Sequence, residues 1–318
     1  MRIETICILG GSGFVGRHIA AKLARRDKAI RVLTRRRERN RHLLVIPNLQ
    51  LEEADIHDED VLAEQFQGCD AVINLVGILN QFKPGEFQQV HVELPQKIAS
   101  ACQRNGVKRL LHMSALGADA KAPSEYLRTK AEGERLVLES SSAAMAATTF
   151  RPSVIFGPED SFFNRFAALL KVSPLIVPLP TPQARFKPVF VGDVAEAFIR
   201  CFADRETFGR GFELCGPDVF TLRQIVEYTA KLSGERRLIW GLGDGLSRLQ
   251  AKVLERLPGK PYSMDNYLSS TVNSVCAEDG LAELGLHATA VDTVVPGYLG
   301  DRSARRRYTH YRRLARRF

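Results

Sequence analysis

The chain has 318 residues, 45% hydrophobic and 25% charged, which is the composition of a globular protein of one large or two ordinary domains. That excludes a disordered chain, a collagen-like repeat and a small disulfide-built scaffold, and no run of about 18 apolar residues suggests a membrane span. The net charge of +9 is local, because residues 302–318 hold eight arginines and no acid, leaving +1 for everything before them.

The first 150 residues alternate strand and helix signals. Thr5–Leu9 is a short apolar run ending in glycines, a buried strand, and residues 16–25 carry Ile19, Ala20 and Leu23 at helical spacing. Strands follow at Ala29–Leu33, from Leu49, and at Ala71–Val76, with a helix over Asp58–Phe66 between the last two. A long helix is expected over Glu86–Arg104, a fifth strand over Val107–His112, a helix over Ser124–Glu139 and a sixth strand over Ala146–Phe150. Continuous apolar strands alternating with helices specify an α/β fold, a doubly wound parallel sheet of Rossmann type. After Arg151 prolines crowd the chain, at 152, 158, 174, 178, 180, 182 and 188. The division expected is a nucleotide-binding domain over 1–150 and a smaller mixed lobe over 151–301, with residues 189–204 returning to the main domain. A basic tail over 302–318 completes the chain.

Gly10, Ser12, Gly13, Phe14, Val15 and Gly16 lie directly between the first strand and the first helix, in the pattern G-x-x-G-x-x-G. Glycines there permit the tight turn, the approach of a pyrophosphate to backbone N–H groups at a helix N-terminus, and close helix–sheet packing. The cofactor expected is NADP(H) in preference to NAD(H). At the end of the second strand stand Arg35 and Arg36, with no acid before Glu38, so a 2′-phosphate is favoured over a free ribose hydroxyl. Arg35 is the first choice and Arg36 the second. Asp55, after the third strand, is placed either to meet the adenine amino group or to act as a helix cap.

Tyr126 and Lys130 are separated by four residues and share one helical face. A phenol near its free pKa of about 10 is a poor acid–base group at neutral pH, and a neighbouring ammonium stabilises its phenolate. Ser114 ends the fifth strand, at the carboxyl edge where open α/β sheets bind ligands. Together these motifs resemble the short-chain dehydrogenase/reductase superfamily in its extended or atypical branch. Met113–Asp119, Tyr126–Glu134, Arg151–Pro158 and Pro188–Ala195 resemble, within it, the group of NAD(P)-binding epimerase-like proteins that contains the 39 kDa accessory subunit of mitochondrial complex I and its bacterial relatives. The likeness runs from residue 3 to about residue 230.

The resemblance implies a catalytic set of Ser114, Tyr126 and Lys130, with the tyrosine as proton donor or acceptor in hydride transfer. It implies cofactor contacts from Leu75, Val76 and Gly77 after the fourth strand and from Lys130. Arg151, Pro152 and Ser153 either line the nicotinamide side of the pocket or form a structural strand end. Two departures leave the substrate open: Asn74-Leu75-Val76-Gly77 stands where many members have Asn-Asn-Ala-Gly, and His91 where an asparagine often appears. Two readings of function follow. One is an NADP(H)-dependent oxidoreductase, or a related epimerase or dehydratase, acting on a carbonyl, alcohol or quinone-related substrate. The other is a non-catalytic NADPH-bound module of a membrane respiratory complex or of quinone-biosynthesis machinery.

No metal is expected, because the seven histidines show no ligand spacing and no Cys/His cluster exists. The six cysteines are scattered, and most of them sit in apolar segments and read as small core residues of a reducing compartment. With no leader segment recognised at Met1–Glu4, the location expected is cytoplasmic, with peripheral contact on the cytoplasmic face of a membrane. Tyr308, Tyr311 and Phe318 recur at helical steps among the tail arginines, so residues 302–318 read as an interfacial anchor or as a solvated basic end. No nucleic-acid partner is expected, since the rest of the chain adds almost no net positive charge.

Overall fold

A computed structural model describes residues 3–300, so the expectations for the basic tail fall outside the described residues. In chain order the elements begin with β1 (Thr5–Leu9), α1 (Phe14–Ala24), β2 (Ala29–Thr34), β3 (Leu49–Glu53), α2 (Glu59–Gln65) and β4 (Ala71–Asn74). Then come α3 (Glu86–Gln88), α4 (Leu94–Arg104), β5 (Arg109–Met113), α5 (Glu125–Glu139) and β6 (Ala146–Pro152). The next stretch holds β7 (Ile155–Phe156), α6 (Phe163–Val172), β8 (Ile176–Leu179), β9 (Arg185–Phe186) and β10 (Val189–Phe190). It is followed by α7 (Val191–Arg200), β11 (Arg210–Leu214), β12 (Phe220–Thr221), α8 (Leu222–Ser233), β13 (Leu238–Gly241) and α9 (Asp244–Leu254). Last are α10 (Met264–Ser270), α11 (Gly280–Glu283) and α12 (Val291–Leu299).

The chain forms two compact units. The first comprises Met1–Pro152, Val191–Leu214 and Ala277–His287. Its sheet has seven strands in the order β11-β6-β5-β4-β1-β2-β3, and every pair is parallel. The Rossmann-type doubly wound sheet is therefore what the strand–helix alternation specified. Strand order reverses between β1 and β4, which puts the loops after these two strands side by side at the carboxyl edge. α1 packs with α7, while α2, α4 and α5 pack successively with one another. Cys7, Leu9 and Val72 from the strands meet Leu94, Ile98 and Cys102 of α4 in a buried cluster. Burial on both faces explains why the central strands β1 and β4 are continuous rather than alternating apolar runs.

The second unit comprises Ser153–Phe190, Cys215–Cys276 and residues from Ala288 onward. Its two-stranded ribbon β8–β13 turns Val177, Leu179 and Ile239 onto Leu222, Val226 and Ala230 of α8. A second apolar cluster joins Phe156, Phe163 and Ile225 to Val291 and Val295 of α12.

Three features differ from the sequence reading. The segment Glu86–Arg104 is not one regular helix, because a π turn over Gln89–Glu93 lies between α3 and α4. Pro95 has no N–H to give the carbonyl of His91 four residues earlier, and that carbonyl instead faces Gly133, where a Cβ would lie 1.8 Å from it. The segment rejoining the first unit is 191–214, it supplies the edge strand β11, and a second return, 277–287, follows. Finally, the cysteines are not all free: Cys215 and Cys276 form a disulfide across a sequence separation of 61, while Cys7, Cys69, Cys102 and Cys201 are free and buried. The pair escaped the sequence reading because its partners meet only when the excursion between them has folded.

Candidate functional site

The glycine loop is built for close approach. Gly10 adopts φ +77°, and a Cβ there would fall within 3.1–3.3 Å of the Leu75 backbone and Cβ beyond β4. Gly16 has no room either, since its Cβ would lie 2.5 Å from the Gly10 carbonyl. The Gly13 N–H donates to that carbonyl over 3.0 Å, closing the turn with Gly11 and Ser12 at its tip. Gly13 caps α1 without any side-chain hydrogen bond, and no acid occupies the first turn. Phe14, Val15 and Gly16 thus begin a helix whose terminal N–H groups and dipole suit an anion.

At the end of β2, Asn40 fixes the turn by donating to Thr34 Oγ1 over 2.9 Å and to the Arg36 carbonyl over 3.0 Å. Arg37 is committed to β3, its Nε donating to the Leu51 carbonyl over 3.0 Å and its N–H to Glu53. Glu38 pairs with Arg41. Arg35 and Arg36 remain exposed with no acid paired to either among the described residues. Asp55 is exposed, accepts from the His57 N–H over 2.9 Å and leaves the cap of α2 to Asp58.

On the other side of β1, Asn74 organises the end of β4. Its Oδ1 accepts from the Val76 N–H over 3.1 Å, and its Nδ2 donates to Nδ1 of His112, its register partner on β5, over 3.1 Å. That bond assigns the proton of His112 to Nε2, which is buried and has no partner among the described residues. Burial first, then the Lys130 cation and His91, keep the His112 imidazole neutral by holding its pKa well below the ordinary value.

His91, on the π turn, is the hub that the sequence singled out only as a departure from asparagine. Its Nε2 accepts from the Ile78 N–H over 3.1 Å, and its Nδ1 lies 3.0 Å from Thr129 Oγ1. The Thr129 hydroxyl in turn donates to the Glu125 carbonyl over 2.9 Å, so His91 Nδ1 is the donor. Burial, with the Lys130 cation second, pushes His91 down to about 3. The ring stacks on Phe87 at 5.3 Å between centroids and meets the Tyr126 ring edge-on at 5.5 Å, with Phe87 6.1 Å from Tyr126. A neutral imidazole therefore fixes the phenol ring and the loop after β4 together.

One turn beyond Tyr126, Lys130 is only 5% exposed. Its Nζ donates to the Met113 carbonyl over 2.7 Å, beside Ser114 in the chain. Burial pulls the ammonium down from 10.5 to about 8, with Glu134 opposing that shift. The Ser114 N–H donates to the Phe150 carbonyl over 2.8 Å, but its hydroxyl is buried with no hydrogen-bond partner among the described residues. A Cβ on Gly77 would lie 3.6 Å from Lys130 Nζ and 3.7 Å from His91 Nε2, so the absent side chain keeps that approach open.

Arg151 is bound to the buried Glu134, its Nε lying 2.8 and 2.9 Å from the two carboxylate oxygens. Glu134 also accepts from Thr149 over 2.7 Å. This fits the strand-end reading of Arg151. The Pro152 carbonyl accepts from the Leu116 N–H over 3.0 Å, and Ser153, in the second unit, bonds to Ser274. Glu134 and Thr129 were not singled out in the sequence, and Asn74 appeared only within the Asn74–Gly77 segment, since single polar residues in helices and strands carry no spacing signal.

A helix start without a side-chain cap behind a glycine-rich turn, a pair of uncommitted arginines and an orphaned hydroxyl beside a buried lysine fit a nicotinamide nucleotide. These features define an α/β nucleotide-binding protein of the dehydrogenase and epimerase kind. The chain belongs to the NAD dependent epimerase/dehydratase family, whose match extends over residues 6–215. It is similar to the mitochondrial NADH dehydrogenase (ubiquinone) 1 alpha subcomplex subunit 9 of Mus musculus, with 29% identity over 296 residues, 90% of this chain and 77% of that one. Among solved structures it resembles MoeE5 in complex with UDP-glucuronic acid and NAD, at TM-score 0.71 and 19% identity over 95% of this chain and 99% of that one. It also resembles the NADPH-dependent quinone oxidoreductase of Escherichia coli complexed with NADPH, at TM-score 0.70 and 18% identity over 90% of this chain and 96% of that one. At such identities the two structural likenesses establish the fold. Family membership supports NAD(P) binding. Among the described residues, no helix is long and apolar enough to cross a membrane.

Proposed function

We propose that the chain is an NADP(H)-dependent oxidoreductase of the short-chain dehydrogenase type, acting on a carbonyl, alcohol or quinone-related substrate. The carrying observation is the buried Lys130 ammonium, held on the Met113 carbonyl beside the unpartnered Ser114 hydroxyl and one turn from Tyr126. When bound, a reduced nicotinamide supplies the hydride. Tyr126 gives its phenolic proton to the carbonyl oxygen, Ser114 donates a hydrogen bond to the same oxygen, and the Lys130 cation stabilises the phenolate left behind. In the oxidative direction each proton moves the other way. The loop Gly10–Gly16 and the segment Leu75–Gly77 hold the diphosphate and the adjoining ribose, and Asp55 faces the adenine. NADP(H) is preferred because Arg35 and Arg36 are uncommitted while Arg37 and Glu38 are engaged.

A second reading, a module that holds NADPH without turnover in a membrane complex, is favoured by the similarity to the mitochondrial subunit. In that setting residues 302–318 supply contact with a membrane surface or a complex partner. Replacing Tyr126 with Phe separates the two readings. Mass spectrometry of the purified variant should find NADPH retained, while carbonyl or quinone reduction and in-cell function are lost. Retention of both activities by Tyr126→Phe refutes the enzymatic reading.

A further inference from the structure

The second unit carries a surface of the wrong polarity for contact with water. In the ribbon β8–β13, Leu238 lies opposite Ile176 and Trp240 opposite Pro178. These four side chains point away from the core cluster that Val177, Leu179 and Ile239 pack against. Leu238 is 65% exposed and Trp240 55% exposed. A surface strand ordinarily alternates apolar inside with polar outside; this ribbon is apolar on both faces.

The adjoining helix α9 is inverted. Its buried positions are the small Ser247 and Ala251, whereas Leu246, Leu249 and Val253 are exposed. Those three recur at steps of three and four and form one stripe. Gln250, on the same side of the helix, donates to the Pro178 carbonyl over 3.1 Å, which sets the stripe beside the ribbon. The result is one continuous apolar face with the chain's single tryptophan in it.

Charge at the margin has one sign. Arg236 shares the outward parity of Leu238 and Trp240, and Lys252 and Arg256 flank the stripe of α9. None of these three cations is in an ion pair among the described residues. The acids of the helix lie on the far side and are engaged, Asp244 with Arg248 and Glu255 with the Met264 N–H. An apolar plane containing a tryptophan, rimmed by unpaired cations with acids turned away, matches the boundary between lipid headgroups and acyl chains.

We infer that the face formed by the ribbon β8–β13 and helix α9 is a docking surface for an anionic lipid bilayer, entered by Trp240, Leu238 and the stripe Leu246/Leu249/Val253. It belongs to the second unit, shares no residue with the candidate nucleotide site and does not include residues 302–318. A membrane protein seated on this face is the alternative that the test separates.

Because Trp240 is the only tryptophan, its fluorescence reports on this face alone. The full-length chain is mixed with vesicles of phosphatidylcholine alone and of phosphatidylcholine with phosphatidylglycerol. With the anionic vesicles its emission should shift to the blue and be quenched by brominated acyl chains. With the zwitterionic vesicles both effects should be much weaker, and added salt should reduce them in the anionic case. Leu249→Asp and Leu238→Asp, at exposed positions where folding is unaffected, should each weaken vesicle partitioning by about tenfold or more. Unchanged melting of the variants confirms that the fold is intact. The proposal is overturned if Trp240 emission is unmoved while the chain sediments with anionic vesicles, since contact is then made elsewhere. It is equally overturned if both aspartate variants partition like the parent, or if emission shifts only with a purified membrane protein and never with lipid.

Discussion

Lys130 is the residue on which site and fold make opposite demands. Burial lowers its pKa from 10.5 to about 8, so below pH 8 the folded chain carries an ammonium that would be better hydrated in the unfolded chain. A difference of about 2.5 units corresponds to roughly 3 kcal/mol against folding at pH 7. Lys130→Met keeps the length of the side chain and removes that cost, but it leaves the Met113 carbonyl without its donor, a loss of about 1–2 kcal/mol. The variant should therefore be about 1–2 kcal/mol more stable than the parent at pH 7. Between pH 8 and pH 10.5 the folded parent releases its proton while the unfolded chain still holds one, so parent stability rises with pH through that window. Methionine titrates nothing, and the advantage of the variant should disappear and then reverse by pH 10.5. Urea unfolding of nucleotide-free parent and variant at pH 7, 9 and 10.5 measures the difference, in which titrations not coupled to Lys130 cancel. A difference that is flat from pH 7 to pH 10.5 would refute the buried cation. The same variant should lose turnover at every pH, because the phenolate of Tyr126 then has no cation beside it.

Three further outcomes are expected. Replacing Arg35 and Arg36 together by alanine should weaken NADPH binding by about ten- to a hundredfold and leave NADH affinity unchanged, as read by titration calorimetry; equal losses for both coenzymes would contradict the assignment. The His91 ring should show no titration between pH 5 and pH 8 in nitrogen-detected NMR spectra, because its pKa is pushed down to about 3, and an inflection near neutrality would remove the neutral hub. Gly133→Ala, which sets a Cβ 1.8 Å from the His91 carbonyl, should cost about 3 kcal/mol or more in urea unfolding, whereas a neutral result would mean the π turn shifts freely.

The sheet was legible because its central strands β1 and β4 are continuous apolar runs between helices, a pattern set by burial on both faces, whereas the edge strand β3 buries only Leu51 and showed only its start. The glycine loop was legible because three glycines meet steric demands at fixed offsets. β11 was not, since Arg210-Gly211-Phe212-Glu213-Leu214 is an edge strand in which only Phe212 and Leu214 are buried and Gly211 and Glu213 interrupt the apolar pattern. The π turn was hidden for a different reason. Its cause is a coincidence of Pro95, which removes a donor, with Gly133, which makes room some forty residues later. Periodicity registers neither. The Cys215–Cys276 bond is hidden likewise, because cysteine spacing has meaning only when the intervening chain is short or the pattern repeats.

The polar residues under the carboxyl edge explain one another. His91 and His112 are both buried beside Lys130, and each is neutral in part because Lys130 is charged. Had either imidazole taken a proton, a second buried cation would lie near Lys130, and the acid that acts on Lys130, Glu134, is already bound by Arg151 and Thr149. The layer therefore concentrates its positive charge on one ammonium a single helical turn from the phenol. Neutral hydrogen bonds, one donated by Asn74 to His112 and one accepted by Thr129 from His91, hold the histidines in fixed tautomers around it. Such an arrangement keeps the histidines from altering the field at Tyr126 between pH 5 and pH 7, below the range in which Lys130 itself releases its proton. Replacing His91 by a residue that stays cationic, as in His91→Lys, should accordingly depress the pKa of Lys130 further and uncouple Tyr126 from its cation at lower pH. The alkaline limb of a pH–rate profile would then move toward neutrality, and an unmoved limb would show that the charge at Tyr126 is set by other groups.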